Sequence, residues 1–149
     1  MTNPQQNTPV ADQILTFWEK DSKFDRYNPA EESAKISSLH FKYLKLYKQC
    51  LSSLITLRDK KNKLFLKKNN FYSGKDDPSV YREKNFHIKV LKVDMDMWIS
   101  SDDEYSAIAS RITEFENCVD ILKSILDQIK NRHWISKTIV EYDKFTSGA

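Results

Sequence analysis

The stretch YSAIASRITEFENCVDILKSILDQI, from Tyr105 to Ile129, repeats large apolar residues at alternating spacings of three and four. The repeated positions are Tyr105, Ile108, Ile112, Phe115, Val119, Leu122, Leu126 and Ile129. Such spacings place side chains on one face of an α-helix, and more than three heptads of them make a seam like that of a coiled coil. Asp102 and Asp103 stand where an N-cap and a first helical turn favour acidic residues. The stretch therefore predicts a long helix with an apolar face that needs a packing partner.

A second long helix is predicted upstream of this seam. Asn28 and Pro29 have the residue types of an N-cap and a first helical position, and Glu31 stands where a capping box places a carboxylate. No proline or glycine occurs from Ala30 to Ser73, and Gly74 suits the left-handed position that ends a helix. The apolar residues of this helix recur at helical spacing, at Ile36, Leu39, Tyr43, Tyr47, Cys50, Leu54, Leu57 and Leu64.

The remaining segments are shorter. Residues 10–20 predict a short helix, because their large apolar side chains fall on one face. KDDPSVYREKN, residues 75–85, is polar and typical of a loop. Phe86, Ile88 and Val90 alternate with polar residues, which predicts an extended segment, followed by irregular structure with a helical turn over residues 95–99.

These patterns predict a mainly α-helical fold, with long helices in a hairpin or bundle and a short extended segment in the middle. Two glycines and four prolines in 149 residues suit long helices better than a turn-rich β-fold. A chain of this length fits one structural domain. Within it we expect a flexible tail (1–12), an N-terminal helical part (13–101) and a C-terminal helical part (102–149).

The sequence lacks the residues that several classes of function require. Cys50 and Cys118 match no metal or redox spacing, so we interpret them as reduced core cysteines. His40, His87 and His133 show no metal-ligand spacing, and the acidic groups near helix starts fit capping better than Mg²⁺ binding or catalysis. The sequence has no Gly-rich phosphate loop, nucleophile elbow or Cys–His pairing. It also has no apolar run near the roughly 20 residues of a membrane span and no signal-peptide pattern at its start. We expect a non-enzymatic protein with no metal, cofactor or membrane partner.

The stretch from Arg58 to Lys75 concentrates positive charge. It holds seven basic residues against one acid, Asp59, a local charge of +6 in a chain whose total is +3. This clustering is typical of a polyanion site, since cations follow phosphates and aromatic faces stack on unpaired bases. The predicted nucleic-acid-binding residues are Arg58, Lys60, Lys61, Lys63, Lys67, Lys68, Asn69, Asn70, Phe71, Tyr72 and Lys75. In this hypothesis Phe71 and Tyr72 form the stacking platform. The alternative is a solvated helix face whose aromatic pair packs against the core.

Four stretches occur in a recognisable order along the chain. They are WEKDSKFD (18–25), LKKNNFYSGKDD (66–77), VLKVDMDMWISSDDEY (90–105) and IKNRHWISKTIVEYDKFTSG (129–148). In this order, and with this chain length, the sequence resembles the UvsY family of recombination mediators from T-even-like phages. In that family the basic-aromatic stretch is associated with DNA binding. The positions that match it here are Lys67, Lys68, Phe71, Tyr72, Ser73 and Gly74.

The resemblance implies that residues 13–101 form a DNA-binding part and that residues 102–149 form the oligomerisation part of a ring-like homo-oligomer. The apolar seam thereby has a second possible role, in subunit association. The predicted oligomerisation residues are Ile108, Ile112, Phe115, Val119, Leu122, Leu126, Ile129, Trp134, Ile135 and Ile139. The alternative is that the seam is buried against the chain's own second long helix. After Ile129 the apolar stripe continues with a shifted phase, which indicates either one bent helix or two helices in sequence.

We therefore expect a mediator that helps load a RecA-like (UvsX-type) recombinase onto DNA covered by single-strand-binding protein, in the cytoplasm of an infected bacterial host. The partners that the resemblance implies are single-stranded DNA, the recombinase, the phage single-strand-binding protein and copies of the chain in a hexamer- or heptamer-like ring. The alternative is a helical coiled-coil scaffold or adaptor that has no nucleic-acid role and uses its lysines for solubility.

Overall fold

A computed structural model describes residues 10–148 as five α-helices and one 3₁₀ turn, with no β-strand among these residues. The prediction of a mainly α-helical chain is confirmed. None of the five helices combines the length and the hydropathy that crossing a membrane requires. The elements are α1 (Val10–Asp21), α2 (Pro29–Tyr72), α3 (Pro78–Glu83), the 3₁₀ turn (Lys92–Asp94), α4 (Met95–Ser100) and α5 (Asp103–Ser147).

The ends of α2 lie where the sequence predicts them. Asn28 occupies the N-cap position and its carbonyl accepts a hydrogen bond from Glu32 N–H at 3.1 Å, although its side-chain amide donates to Asp25 instead of capping the helix. At the other end Gly74 has φ 76°, and the N–H groups of Gly74 and Lys75 donate to Phe71 and Asn70 carbonyls. This pair of bonds is a Schellman motif, which satisfies carbonyls that the helix end would otherwise leave unpaired.

Two predictions for the shorter segments need correction. The polar segment 75–85 is not a loop throughout, because Pro78–Glu83 form α3. The Asp77 carboxylate accepts the Ser79 N–H at 2.8 Å and Pro78 takes the first helical position, so the start signal was present in the sequence. Of the predicted tail, residues 10–12 form the first turn of α1, while residues 1–9 lie outside the described chain.

Residues 86–91, which follow α3, form neither a helix nor a paired strand. Val90 N–H donates to the Tyr72 carbonyl at 3.0 Å, which attaches this segment to the end of α2. The predicted helical turn over residues 95–99 is confirmed as α4. The C-terminal stretch is one continuous helix, α5, and not two helices in sequence.

The chain divides into two compact units. Unit 1 comprises residues 10–52 and 114–148 of the described chain, and unit 2 comprises residues 53–113. Helices α2 and α5 each contribute to both units, so the predicted parts 13–101 and 102–149 each contribute to both units as well.

The apolar seam of α5 forms much of the core of unit 1. The buried apolar side chains of this unit come from α1, α2 and α5, at Ala11, Ile14, Tyr43, Cys50, Phe115, Cys118, Val119, Leu122, Ile125, Leu126 and Ile129. In unit 2, Ile112 is also buried and Ile108 is half-buried. The subunit-contact role predicted for the seam from Ile112 to Ile129 is therefore corrected, because these side chains already fill the chain's own core.

The later part of the predicted oligomerisation set is placed differently. The side chains of Trp134 and Ile135 are exposed, with 63% and 47% of their surfaces accessible, and Ile139 is half-buried. Their role in subunit association stays a prediction.

A buried arginine joins the three helices of unit 1. The Arg132 guanidinium donates to the Asp21 carbonyl, lies 3.8 Å from the Glu32 carboxylate and stands 5.5 Å from the Trp18 ring centroid. Arg132 and Glu32 are only 6% and 5% exposed, so their opposite charges stabilise each other where little water reaches them. Tyr43 is fully buried, and its hydroxyl donates a hydrogen bond to the Asp21 carboxylate at 2.9 Å.

We predict that Leu122→Ala lowers the free energy of unfolding by about 2–5 kcal/mol, because it opens a cavity at a fully buried site. Urea denaturation at one fixed protein concentration measures the change. Leu15→Ala is the control, since 47% of Leu15 is already exposed and the expected decrease is below about 1 kcal/mol. Unchanged chain stability together with a dissociated oligomer would show that the seam is a subunit contact after all.

Candidate nucleic-acid interface

The net positive charge of the chain belongs to unit 2. Residues 53–113 hold twelve basic and nine acidic residues, whereas the rest of the chain holds twelve of each. The formal net charge of +3 is therefore the charge of unit 2. An anionic polymer has an electrostatic reason to bind this unit.

Helix α2 presents most of the predicted cations to solvent. Arg58, Lys60, Lys63, Lys67 and Lys75 are exposed. On a helix with 3.6 residues per turn, the side chains at 60, 63 and 67 lie on one side of the buried stripe and that at 58 lies on the other. Lys61 is half-buried and lies at the edge of the stripe on this second side. Asp59, the acid within the cluster, pairs with the Lys63 ammonium at 2.7 Å.

Two further lysines that the sequence analysis missed join this surface at the end of α2. The Lys84 ammonium stands 4.8 Å from the Phe71 ring centroid, and the Lys89 side chain passes 3.8 Å from the position that a Cβ on Gly74 would take. They follow α3 in the sequence, outside the window of clustered charge, and only the return of the chain to the end of α2 brings them there. We call the following set the basic surface: Arg58, Lys60, Lys61, Lys63, Lys67, Lys75, Lys84 and Lys89.

The two aromatic rings predicted to stack on bases are buried instead. Phe71 and Tyr72 are each 8% exposed and pack with Val90, Met95 and Ile99 in the hydrophobic core of unit 2. Other aromatic rings close around them: the Phe71 ring stacks on Tyr81 at 5.2 Å between centroids, and the Tyr72 ring lies 5.8 Å from Trp98. The stacking role predicted for Phe71 and Tyr72 is therefore corrected, since neither ring offers a free face to a base.

Lys68 is also turned inward. Its ammonium lies 3.0 Å from the Asp102 carboxylate and 3.0 Å from that of Glu104, and its side chain is 10% exposed. The other bonds of Asp102 complete a network: its Oδ2 accepts the Tyr72 hydroxyl at 2.7 Å, and its Oδ1 accepts N–H groups at the start of α5. The predicted capping by Asp102 is confirmed. The predicted contact of Lys68 with DNA is corrected, because its charge is already used within the fold.

The protonation states of this network follow from its geometry. Burial by itself raises the pKa of Asp102, but hydrogen bonds from Tyr72, Lys68 and a helix N–H outweigh burial and hold that pKa below its ordinary value. Burial, and then the bond to Asp102, raise the pKa of Tyr72 to about 12. Burial tends to lower the pKa of Lys68, yet its bonds to two carboxylates raise it. At neutral pH the network therefore contains a charged ammonium, a neutral phenol and a charged carboxylate.

Asn69 and Asn70, which the sequence analysis predicts to contact nucleic acid, are half-buried on the last turns of α2. The Asn70 carbonyl accepts the Lys75 N–H at 3.0 Å and the Ser73 hydroxyl at 3.1 Å. Contacts of the Asn69 and Asn70 amides with DNA stay a prediction. Among residues 10–148 no three His, Cys, Asp or Glu side chains are placed to hold a metal ion.

One aromatic residue that the sequence analysis passed over is exposed. Among the Phe, Tyr and Trp residues of 53–113, all of which the structure describes, Phe65 is the most exposed, with 38% of its surface accessible, whereas the others are buried or half-buried. Its ring centroid lies 6.2 Å from that of Tyr105, over which the Lys61 ammonium stands at 5.5 Å. The sequence signal was its position one turn after Lys61, within the basic stretch.

We predict that Asp102→Asn lowers the free energy of unfolding at pH 7 by about 3 kcal/mol, because it leaves the Lys68 charge without its buried partner while an amide oxygen still caps α5. The pKa of Asp102 is lowered in the folded chain, so its stabilisation is present above the ordinary value near 4 and is lost as pH falls through the lowered value. Urea denaturation at several pH values tests both points. The difference between wild type and variant should shrink below about pH 4, and an equal difference at pH 7 and pH 3 would contradict the assignment.

Asp103→Asn, at the exposed neighbouring position, is the control, with an expected change within about 0.5 kcal/mol.

The fold and sequence have known relatives. The family described as "Recombination, repair and ssDNA binding protein UvsY" matches residues 17–149. A comparison with curated protein sequences gave no match. A crystal structure of the bacteriophage T4 recombination mediator protein UvsY in lattice type IV superposes with a TM-score of 0.78 at 18% identity, covering 91% of this chain and 98% of that chain. The same protein in lattice type II gives 0.79 at 19% identity, covering 91% and 96%.

At these identities the crystal structures show a shared fold, and the family match supplies the relationship. It spans the chain from α1 to the C-terminus, including the basic surface and the Asp102 network. The chain therefore belongs to the UvsY family of recombination, repair and single-stranded-DNA-binding proteins.

Proposed function

We propose that this protein is a non-enzymatic recombination mediator. It binds single-stranded DNA through the basic surface, assembles into a ring-like homo-oligomer, and helps load a RecA-like recombinase onto DNA covered by single-strand-binding protein. It acts in the cytoplasm of the infected bacterial host. The observation that carries the proposal is the concentration of exposed cations on unit 2 in a chain of the UvsY family.

The basic surface suits the phosphates of an unpaired strand. Its lysines along α2 and at the end of that helix carry charge without a built pocket for one base, which fits binding without strong sequence preference. Each phosphate contact releases bound counterions, so affinity falls as salt rises. One such surface, partly balanced by nearby carboxylates, binds weakly by itself.

Assembly into a ring multiplies this weak binding. Several basic surfaces on one particle act on the same strand, and multivalent attachment raises affinity by about 10²–10⁴ without any new kind of interaction. The end of α5 offers an apolar surface for assembly, since Trp134 is 63% and Phe145 is 84% exposed beside the partly exposed Ile135. Exposed apolar surface of this kind marks protein–protein contacts.

The mediator activity follows from DNA binding by the basic surface and from assembly into a ring. A strand held at several points on a particle is bent away from the geometry that its coating protein prefers. The particle therefore weakens the grip of the single-strand-binding protein while it keeps hold of the strand. The freed segment gives the recombinase a place to nucleate.

We predict that Lys60→Gln with Lys67→Gln weakens binding to oligo-dT and reduces the slope of log K against log salt by about 0.7 for each phosphate that the variant no longer neutralises. Both lysines are exposed on the same side of α2, where a strand can reach them. Fluorescence anisotropy over a range of NaCl concentrations measures the affinity and the slope.

The matched control is Lys45→Gln with Lys48→Gln, which removes two exposed charges from the same helix within unit 1. Its slope should stay close to that of the wild type. Equal slopes for all three proteins would remove Lys60 and Lys67 from the site. If the wild type does not bind oligo-dT in low salt, the scaffold alternative is correct and the proposed function is wrong.

We predict that Ile135→Asp with Phe145→Asp dissociates the oligomer while circular dichroism still reports a helical chain, because both side chains are exposed at the end of α5. Sedimentation velocity measures the subunit number. The dissociated protein should no longer shorten the lag of recombinase ATPase activity on coated DNA, whereas the wild type should shorten it. Val93→Asp, at an 86% exposed apolar site of unit 2, is the control and should retain both properties. An intact oligomer in the double variant would place the subunit contact elsewhere.

A further inference from the structure

The burial of Phe71 and Tyr72 leaves the basic surface without the aromatic face that the sequence predicted. Bases of an unpaired strand expose apolar rings, and proteins that bind such strands usually cover some of these rings with aromatic side chains. A surface of lysines alone attracts any polyanion, including duplex DNA. An aromatic face beside the cations adds a preference for unpaired bases.

Phe65 has the exposure and the neighbours for this role. It lies on α2 one turn after Lys61, and Arg58 lies a further turn back on the same side of the helix. Leu64, one residue before Phe65, is 7% exposed and anchors this turn in the core. The ring of Phe65 is therefore held on a rigid helix with part of its surface open.

Tyr105 backs the Phe65 ring from α5. The two centroids are 6.2 Å apart with the rings tilted by 56°, and Tyr105 also packs against the core cluster that contains Phe71 and Tyr72. Asp102 accepts the Tyr105 N–H at 3.2 Å and so fixes the first turn of α5. Tyr105 thus connects the exposed ring to the core of unit 2.

We propose that Phe65 is a base-stacking residue of the single-stranded-DNA site, with Tyr105 as its positioning residue and with Arg58 and Lys61 as cations for the flanking phosphates. The proposal rests on the proposed function, since it names the part of that site that contacts the bases. It gives the protein a means of preferring unpaired strands that the cations do not supply.

The surrounding charges limit the direction of the strand. Glu104, whose side chain is 58% exposed, and the exposed Asp103 lie at the start of α5, and the Lys68 ammonium offsets only part of this negative charge. Phosphates are repelled from that end of the surface. Beside Phe65 the phosphates are therefore expected at Lys61 and Arg58, while the lysines on the other side of α2 bind phosphates further along the strand.

The test compares oligo-dT with an oligonucleotide of the same length whose sites are all abasic, using a length that one subunit can cover. Phe65→Leu keeps apolar volume and removes the π face. We expect it to weaken oligo-dT binding by about 5- to 150-fold, which corresponds to about 1–3 kcal/mol for one stacked base. Binding of the abasic strand and the salt slope should stay at their wild-type values.

Two variants serve as controls. Phe65→Trp restores an aromatic face and should retain oligo-dT affinity. Leu66→Ala alters the neighbouring side chain, which is 64% exposed, and should change neither affinity. Sedimentation velocity on each variant reports whether the subunit number is the same.

The possible failures are distinguishable. If Phe65→Leu binds oligo-dT as the wild type does, or if the wild type binds the abasic strand equally well, stacking on Phe65 is wrong while salt-dependent binding leaves the proposed function standing. If Phe65→Leu changes the subunit number, the ring is a contact with a second copy of the chain and the stacking role is wrong. If the wild type binds neither strand in low salt, the proposed function itself fails.

Discussion

The carboxylate of Asp102 is the group on which the arrangement of unit 2 depends. One of its oxygens accepts the N–H groups that begin α5, and the other accepts the Tyr72 hydroxyl and lies 3.0 Å from the Lys68 ammonium. It therefore ties the start of one long helix to the last turns of the other. A carboxylate with these partners is stable in a nearly buried position, because each hydrogen bond and the ion pair replace the water that burial removes.

This network fixes the rotation of α2 and so divides the basic stretch by function. With Lys68 and Tyr72 turned inward beside Leu64 and Phe71, helical geometry turns Lys60, Lys63 and Lys67 to one side and Arg58, Lys61 and Phe65 to the other. A run of charge that looks uniform in sequence thus contains two kinds of residue. One kind is buried and holds the fold together, and the other lies at the surface of the helix.

Periodicity and helix-end chemistry were enough to predict most of the fold. The apolar spacing from Tyr105 to Ile129 predicted α5, and the interval between Pro29 and Gly74 predicted α2, because a long helix leaves a local signature in every turn. The surface that packs against each apolar face, however, is not encoded in the neighbouring residues of the sequence. The same seam suits an intramolecular core and a subunit contact, so only the positions of α1 and α2 showed that Leu122 and its neighbours are packed from within the chain. The sequence could not show which cations of the basic stretch are exposed, for the same reason. Clustered cations identified the stretch, since charge density can be counted along the chain, but the separation of Lys68 from its neighbours required knowledge of Asp102 and Glu104, which are more than thirty residues away in the sequence.

The buried aromatic cluster has a consequence for the electrostatics of the surface. Phe71 and Tyr72 hold the segment after α3 against the end of α2, and that segment carries Lys84 and Lys89. Ion pairs withdraw the Lys68 charge from the surface, while these two charges from elsewhere in the chain join it. The exposed positive charge is therefore low near the start of α5, where Glu104 remains exposed. It is concentrated toward Arg58 along α2 and toward Lys89 beyond the end of α2. The rings that the sequence analysis assigned to DNA thus place two lysines at the end of α2, and in the proposed function these lysines face the strand.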